Sequence, residues 1–235
     1  RADRIVVPSA SAADGLRQRE PEVADRVVVV PHGVDVGEDS PSRSEREALV
    51  VYVGRFDATK GTQDFVEAAT RALACRPQAR AIVAGGLPSH PRMERRWRRR
   101  WEEGLATAAA VRDRIEVTGW LQAEAIAGIL GRAGVVAIPS RYETFGMVAL
   151  EAMARAAPIV ATRAGGLTDL LDDESALLVP PGDPCALAES IGALLDDPER
   201  GRRLGRQART VAAARFSWAQ AGQQMQRTYA AVVRR

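Results

Sequence analysis

From Leu49 onward, short apolar runs rich in β-branched residues alternate with longer stretches of helical period, and few folds accept that order. Leu49 to Val53, Ala79 to Ala84, Ile115 to Val117, Val135 to Pro139, Ile159 to Ala161 and Ala176 to Val179 read as strands. Between and after them, Thr62 to Cys75, Ala123 to Gly131, a segment opening near Thr144, Asp183 to Leu195, Pro198 to Ala214 and Trp218 to Val233 read as helices. A long charged helix falls within Pro91 to Val111. Strands joined through helices by short connections imply right-handed crossovers, so the predicted fold class is α/β, a parallel sheet with helices on both faces.

The stretch ahead of this region is different. Ile5 to Val7 and Val27 to Val30 read as strands, with a short helix over Ser11 to Arg19 between them. Residues 35–47 are polar and rich in turn formers, which marks a linker and a domain boundary. The predicted organisation is therefore residues 1–34, a linker over 35–47, and a main domain over 48–235.

Composition limits the chemistry. The two histidines, His32 and His90, leave a histidine-rich metal site or a Ser-His-Asp triad poorly supplied, and Cys75 and Cys185 have neither metal-ligand nor disulfide spacing. A reducing, cytoplasmic compartment is the simpler reading of that cysteine usage. The net charge of +3 suits phosphorylated ligands or an anionic surface and is too small to indicate nucleic acid. No apolar run approaches the roughly 20 residues of a membrane span, and no secretory signal opens the chain. Its start on Arg1 suggests a processed, trimmed or partial chain.

The most informative site lies after the Val135 run. Thr144 is read as the N-cap of the next helix, which directs the amides of Phe145, Gly146 and Met147 outward, where the helix dipole favours an anion. Glu143 stands in the loop before that helix, and Glu151 shares a face with Met147, Leu150 and Ala154, otherwise a core stripe. A carboxylate there needs either an internal partner, Arg141 or Arg163, or a ligand hydroxyl.

Other loops fall on the same edge, where open parallel sheets bind ligands. Gly54, Arg55 and Lys60 follow the first strand of the alternating region and suit an anionic group, although taken in isolation the two cations read more simply as solvated. Gly85-Gly86 allows close backbone approach. Gly119-Trp120-Leu121 sets an indole beside a strand end, able to stack a nucleobase or to cap the core. Arg163 to Asp169 opens a helix with two glycines that could meet phosphate or sugar. In the Arg/Trp segment 95–101, Trp97 and Trp101 share a helical face, which fits packing on the sheet or a peripheral membrane contact.

Taken together, these pieces resemble the C-terminal half of the retaining GT-B glycosyltransferases of family 4. The resemblance rests on Val53-Gly54-Arg55 with Lys60-Gly61, Gly85-Gly86, Gly119-Trp120-Leu121, Pro139 to Gly146 with Glu151, Gly165-Gly166, and Leu177 to Pro184, all in family order. Pro31-His32-Gly33-Val34-Asp35 resembles the family's interdomain junction, and Ala2 to Ser9 the end of its N-terminal domain. The resemblance implies a Rossmann-like donor-binding domain preceded by a remnant of the acceptor-binding domain. Most of that acceptor domain is outside this chain, so the isolated chain would be inactive alone.

It also implies roles. Arg55 and Lys60 would neutralise the donor diphosphate, with Glu143 on the transferred sugar. Thr144, Phe145, Gly146 and Met147 would meet phosphate or sugar oxygens, Glu151 the ribose hydroxyls, and Gly54, Gly85, Gly119 and Leu121 would shape the donor and base site. The expected activity is metal-independent hexosyl transfer with retention, with a nucleoside diphosphate sugar as donor and no cofactor. Asp169 departs from the family, which often has glutamate there, and Ala176 replaces a common glycine. The alternatives are a non-catalytic nucleotide-sugar binding module and an epimerase on the same fold.

Overall fold

The computed structural model describes residues 2–37, 46–86 and 109–233, with Arg92, Arg95, Arg96, Arg99, Glu102 and Glu103 between the last two stretches. The main sheet has six parallel strands, β3 (Leu49–Val53), β4 (Arg80–Ala84), β5 (Ile115–Gly119), β6 (Val135–Ile138), β7 (Ile159–Thr162) and β8 (Leu177–Val179), in the order β5-β4-β3-β6-β7-β8. A separate two-stranded parallel sheet pairs β1 (Ile5–Val7) with β2 (Val27–Val29). The described helices are α1 (Ala10–Arg19), α2 (Thr62–Ala74), α3 (Ala123–Arg132), α4 (Met147–Ala154), α5 (Leu167–Leu170), α6 (Pro184–Asp196), α7 (Pro198–Arg215) and α8 (Trp218–Val233).

Burial explains why β3 is so apolar. Leu49 and Val51 point into one core with α3 and α4, while Val50 and Tyr52 point into the other with α2 and α6, and all four are at most 1% exposed. The alternation read from the sequence therefore gives the α/β class correctly, with most element ends within one residue of those expected. Two boundaries differ more. β5 runs on through Thr118 to Gly119, and the helix expected from Thr144 begins at Met147. Residues 38–45 of the expected linker, Trp97 and Trp101 lie outside the described residues. Among those described, no helix is long and apolar enough to cross a membrane.

Strand order decides where a ligand can enter. Successive strands step outward from β3 on one side and from β6 on the other, so the order in which strands are added across the sheet reverses between these parallel neighbours. Crossovers leaving β3 and β6 then diverge to opposite faces, which opens a crevice at their carboxyl ends. At the other end of the sheet, the Arg46 guanidinium donates to the carbonyls of Gly131, Ala133, Arg155 and Ala156, at 3.2, 3.0, 2.7 and 3.0 Å. A cation there offsets the dipoles of α3 and α4 at their C-terminal ends. Burial pulls its pKa down to about 10, with Arg202 acting in the same direction.

The N-terminal piece meets the C-terminal helices along a seam at Val34. Val34 N–H donates to the Phe216 carbonyl at 2.8 Å, Val34 forms a parallel bridge with Ser217, and Gly33 packs so closely on Trp218 that a Cβ would come within 2.6 Å of it. α8 then lies beside the small sheet across an apolar groove of about 340 Å³.

Candidate functional site

The turn after β3 is built on a buried phenol. Tyr52 is 1% exposed, and its hydroxyl donates to the Arg55 carbonyl at 3.1 Å and shares a 2.9 Å hydrogen bond with Thr62 Oγ1. Burial raises its pKa, so the phenol stays protonated and able to donate. Asp57 Oδ1 accepts from the amides of Thr59 and Lys60 at 2.9 and 3.2 Å, closing a short 3₁₀ turn over Ala58–Lys60. Gly61 follows at φ 62°, and a Cβ on it would stand 1.9 Å from the Pro139 carbonyl. Only glycine lets this turn settle against the end of β6.

The loop after β6 meets that turn. The amides of Arg141 and Tyr142 donate to the Thr59 carbonyl at 2.8 and 3.2 Å, and the Arg141 guanidinium grips Asp64 of α2 with bonds of 2.9 and 2.8 Å. From beneath, Gly166 N–H donates to the Glu143 carbonyl at 2.8 Å. The outcome is an ion pair at the crevice: Lys60 Nζ lies 2.7 Å from Glu143 Oε2, with the two side chains 23% and 12% exposed. Phe145 is buried, its ring set edge-on to His32 and Phe216 at centroid distances of 5.1 and 6.2 Å.

Thr144 is not the helix cap. Gly146 takes that position in the left-handed region at φ 106°, where no side chain is present to cap the helix, and the Thr144 carbonyl accepts from the Ser9 hydroxyl at 2.5 Å. The amides of Phe145, Gly146 and Met147 nevertheless have no acceptor among the described residues. Three free donors at the start of α4 therefore lie next in the chain to Glu143, whose carboxylate holds Lys60.

Glu151 stands one turn into α4 and is half-buried, and burial raises its carboxyl pKa against the pull of Arg155. Arg141 is committed to Asp64 and Arg163 to Asp173, so neither is its partner. No donor to its carboxylate is found among the described residues. The expected core stripe is also corrected: Met147 is 39% exposed, so Glu151 sits on a half-open edge of the helix with Leu150 and Ala154 buried beside it.

The remaining predicted residues fall on the same edge with different neighbours. Gly54 N–H donates to Ala84 O at 3.0 Å and Gly85 N–H to Gly119 O at 2.8 Å, so the ends of β3, β4 and β5 are stitched together. Gly85 has φ 133°, and a Cβ there would come 1.9 Å from Gly54 O. Trp120 is 61% exposed and does not cap the core, while Leu121 packs partly against it. Arg55 turns to Asp57 at 3.3 Å and is 56% exposed, so one of the two expected cations, Lys60, joins the Glu143 loop and the other does not. In the glycine pair after β7, the Gly166 amide is taken by Glu143 instead of facing a ligand.

Sequence reading passed over Tyr52, Asp57, Asp64 and Ser9. Asp57 carried a local signal, an acidic residue two and three positions before the amides it caps. Asp64 and Ser9 depend on partners 77 and 135 residues away, while the Tyr52 hydroxyl meets Arg55 and Thr62 only once its side chain is enclosed in the core. Beside Glu143, a cleft of about 790 Å³ runs between α1 and Tyr142, Thr144, Thr168 and Asp169. Among the described residues, no three His, Cys, Asp or Glu side chains cluster closely enough to hold a metal ion.

Known proteins of the same build share this arrangement of strands. The chain is 35% identical over 251 residues to a D-inositol 3-phosphate glycosyltransferase of Xylanimonas cellulosilytica, covering 100% of this chain and 58% of that protein. It is 30% identical over 242 residues to an alpha-D-kanosaminyltransferase of Streptomyces kanamyceticus, covering 97% and 60%. The chain thus spans little more than half the length of these curated relatives. The sucrose-phosphate synthase structure from Thermosynechococcus elongatus superposes with a TM-score of 0.83 at 32% identity, over 99% of this chain and 59% of that one. Anabaena HepE, solved with UDP-glucose, superposes with a TM-score of 0.87 at 23% identity, over 98% and 64%, a likeness of fold. The fold is that of the C-terminal domain of GT-B glycosyltransferases. With residues 38–211 matching the family model described as glycosyl transferases group 1, this chain belongs to that family.

Proposed function

We propose that this chain is the donor-binding half of a retaining hexosyltransferase of the family 4 type, moving a sugar from a nucleoside diphosphate sugar to an acceptor hydroxyl. The observation that carries the reading is the Lys60–Glu143 pair set beside the free amides of Phe145, Gly146 and Met147. Cleavage of the sugar–phosphate bond builds positive charge on the anomeric carbon and negative charge on the leaving diphosphate. A fixed ammonium and helix-start amides favour the second, and a carboxylate favours the first. In the reaction proposed, the acceptor oxygen bonds to the anomeric carbon as the carbon–oxygen bond to phosphate breaks. The bonding electrons pass to the phosphate, which takes the hydroxyl proton on the same face.

In this reading Lys60 leaves Glu143 for the diphosphate, and Arg55 leaves Asp57 to join it. Glu143 then holds the transferred sugar, and Glu151, lacking an internal donor, takes the ribose hydroxyls. Leu121 and the edge at Gly54, Gly85 and Gly119 receive the base. The donor is the only small molecule called for, and the charge is carried by side chains and amides without a cofactor. Acceptor binding belongs to a further N-terminal domain, of which residues 1–34 are the last part, and the setting is cytoplasmic. The fold neighbour solved with UDP-glucose supports this donor class.

Calorimetry on the full-length protein tests the reading with UDP, GDP and ADP in turn. One of the three binds, and Lys60→Ala weakens it by about 10-fold or more, the scale of one charge-assisted contact. Transfer from the matching sugar nucleotide then establishes the enzyme. Binding without transfer or donor turnover points to a binding module, and binding of none of the three overturns the proposal.

A further inference from the structure

The N-terminal turn of α1 is fastened to the Glu143 loop by contacts that no local rule demands. Ser9, the N-cap of α1, accepts from Ala12 N–H at 3.0 Å and donates its hydroxyl to the Thr144 carbonyl at 2.5 Å. Two residues on, Ser11 N–H donates to Asp169 Oδ2 at 3.0 Å. Asp169 lies three residues after Gly166, whose own amide carries the Glu143 carbonyl. The carbonyls of Glu143 and Thr144 press so closely on Gly165 and Gly166 that a Cβ on either glycine would come within 2.4 Å. The loop thus has a floor, the glycine pair, and a clamp, the first turn of α1.

These fastenings join segments 135 and 158 residues apart in the chain. α1 belongs to the N-terminal piece, which also meets the main domain at the Val34 seam. Glu143 has no rigid element of its own. It sits in an irregular loop whose two neighbouring carbonyls are held, one by Gly166 and the other by Ser9. We infer that Ser9 and Asp169 are positioning residues for Glu143: by pinning α1 to this loop they set the height of the carboxylate over the crevice, so that Glu143 is correctly placed only while α1 is docked. The inference rests on the donor-site reading for its effect on turnover, and on the hydrogen bonds alone for its effect on the loop.

The substitutions Ser9→Ala and Asp169→Ala in the full-length protein remove one fastening each, while Ser9→Thr and Asp169→Asn keep a hydroxyl and an acceptor oxygen. Amide hydrogen exchange at Arg141, Tyr142 and Gly166, the hydrogen-bonded amides of this loop and its floor, speeds up by about 10-fold in either alanine variant and returns toward the parent value in the conservative ones. UDP, GDP and ADP calorimetry serves as the control in Asp169→Ala, which leaves Lys60 and the Thr144–Phe145 peptide unit with their own partners, and affinity there stays within about twofold. With UDP-glucose, GDP-mannose or ADP-glucose, whichever the parent protein turns over, kcat falls about 10-fold while KM for the donor holds, as misplacement of a group near the reacting centre requires. Unchanged exchange at Arg141, Tyr142 and Gly166 overturns the inference whatever the kinetics. Faster exchange with unchanged kcat overturns the positioning role. Failure of the parent protein to bind any of the three nucleotides falls on the donor reading and leaves the exchange result to decide the fastening.

Discussion

The ammonium of Lys60 and the carboxylate of Glu143 meet at 2.7 Å although 83 residues separate them in the chain. Each side chain is mostly enclosed, so the pair is screened less than an ordinary surface bridge. A double-mutant cycle with Lys60→Ala and Glu143→Gln, read by denaturant unfolding, is expected to give a coupling energy of about 1 kcal/mol. Glu143→Gln also releases Lys60 from its partner. Nucleoside diphosphate affinity in that variant is then unchanged or tighter, and a loss matching that of Lys60→Ala would count against the separate roles given to the two residues.

Glu151 offers a test by pH. Burial raises its carboxyl pKa in the folded state, so above the ordinary carboxylate value the folded protein binds more protons than the unfolded chain. Stability contributed by this group is present at low pH and is lost as pH rises through the folded pKa. Glu151→Gln should accordingly raise the melting temperature at pH 7 and give no gain near pH 4, with the energy limited to a few tenths of a kcal/mol because the group is partly solvated. The same variant loses nucleoside diphosphate affinity, measured by calorimetry. Stabilisation combined with weaker binding is the pattern of a group kept for a ligand.

Tyr52→Phe removes a hydroxyl that is enclosed and bonded twice, leaving the Arg55 carbonyl and Thr62 short of a partner. Unfolding measurements should show a loss of about 1–2 kcal/mol. Because the turn bearing Lys60 rests on this phenol, nucleoside diphosphate binding weakens as well. A stability loss with unaltered binding would confine Tyr52 to the core.

Ala156 has φ 51°, the left-handed region that side chains avoid, where α4 ends and its amide returns to Met153 O at 2.9 Å. Ala156→Gly is expected to stabilise the fold by about 0.5–1 kcal/mol, the relief of strain being partly offset by added freedom in the unfolded chain. The neighbouring change has the opposite sign. A Cβ on Gly205 would stand 2.1 Å from the Ala156 carbonyl, so Gly205→Ala destabilises by about 1–3 kcal/mol. Thermal melts of the two variants check both signs.

What could be read from the residues alone follows the range of the forces involved. β3 was legible because enclosure on both faces demands a continuous apolar run, and Asp183 and Asp197 stand one residue before the helices they cap. Thr144 was misread because its backbone is held by groups distant in sequence, the Ser9 hydroxyl on its carbonyl and Gly166 packed against it, and these leave no local trace. Arg55 carried its answer nearby, since Asp57 follows two residues later, within reach of a turn. The loops holding Lys60 and Glu143 could be assigned to one edge of a sheet from strand–helix alternation. Their direct contact follows from β3 and β6 being neighbours, which only the strand order supplies.

The seam at Val34 and Ser217 is crossed twice, once by the chain leaving the small sheet and once by the chain returning to it. A single strand of backbone can swivel freely about its own axis, whereas two strands held side by side by a hydrogen bond resist torsion and yield mainly to bending. Motion of the small sheet with α8 against the larger sheet is thereby reduced toward one degree of freedom, like a door on its jamb. Any bending of that kind would carry the first turn of α1 along one arc relative to Thr144, so that Ser9 and this carbonyl would meet in the same register on each approach.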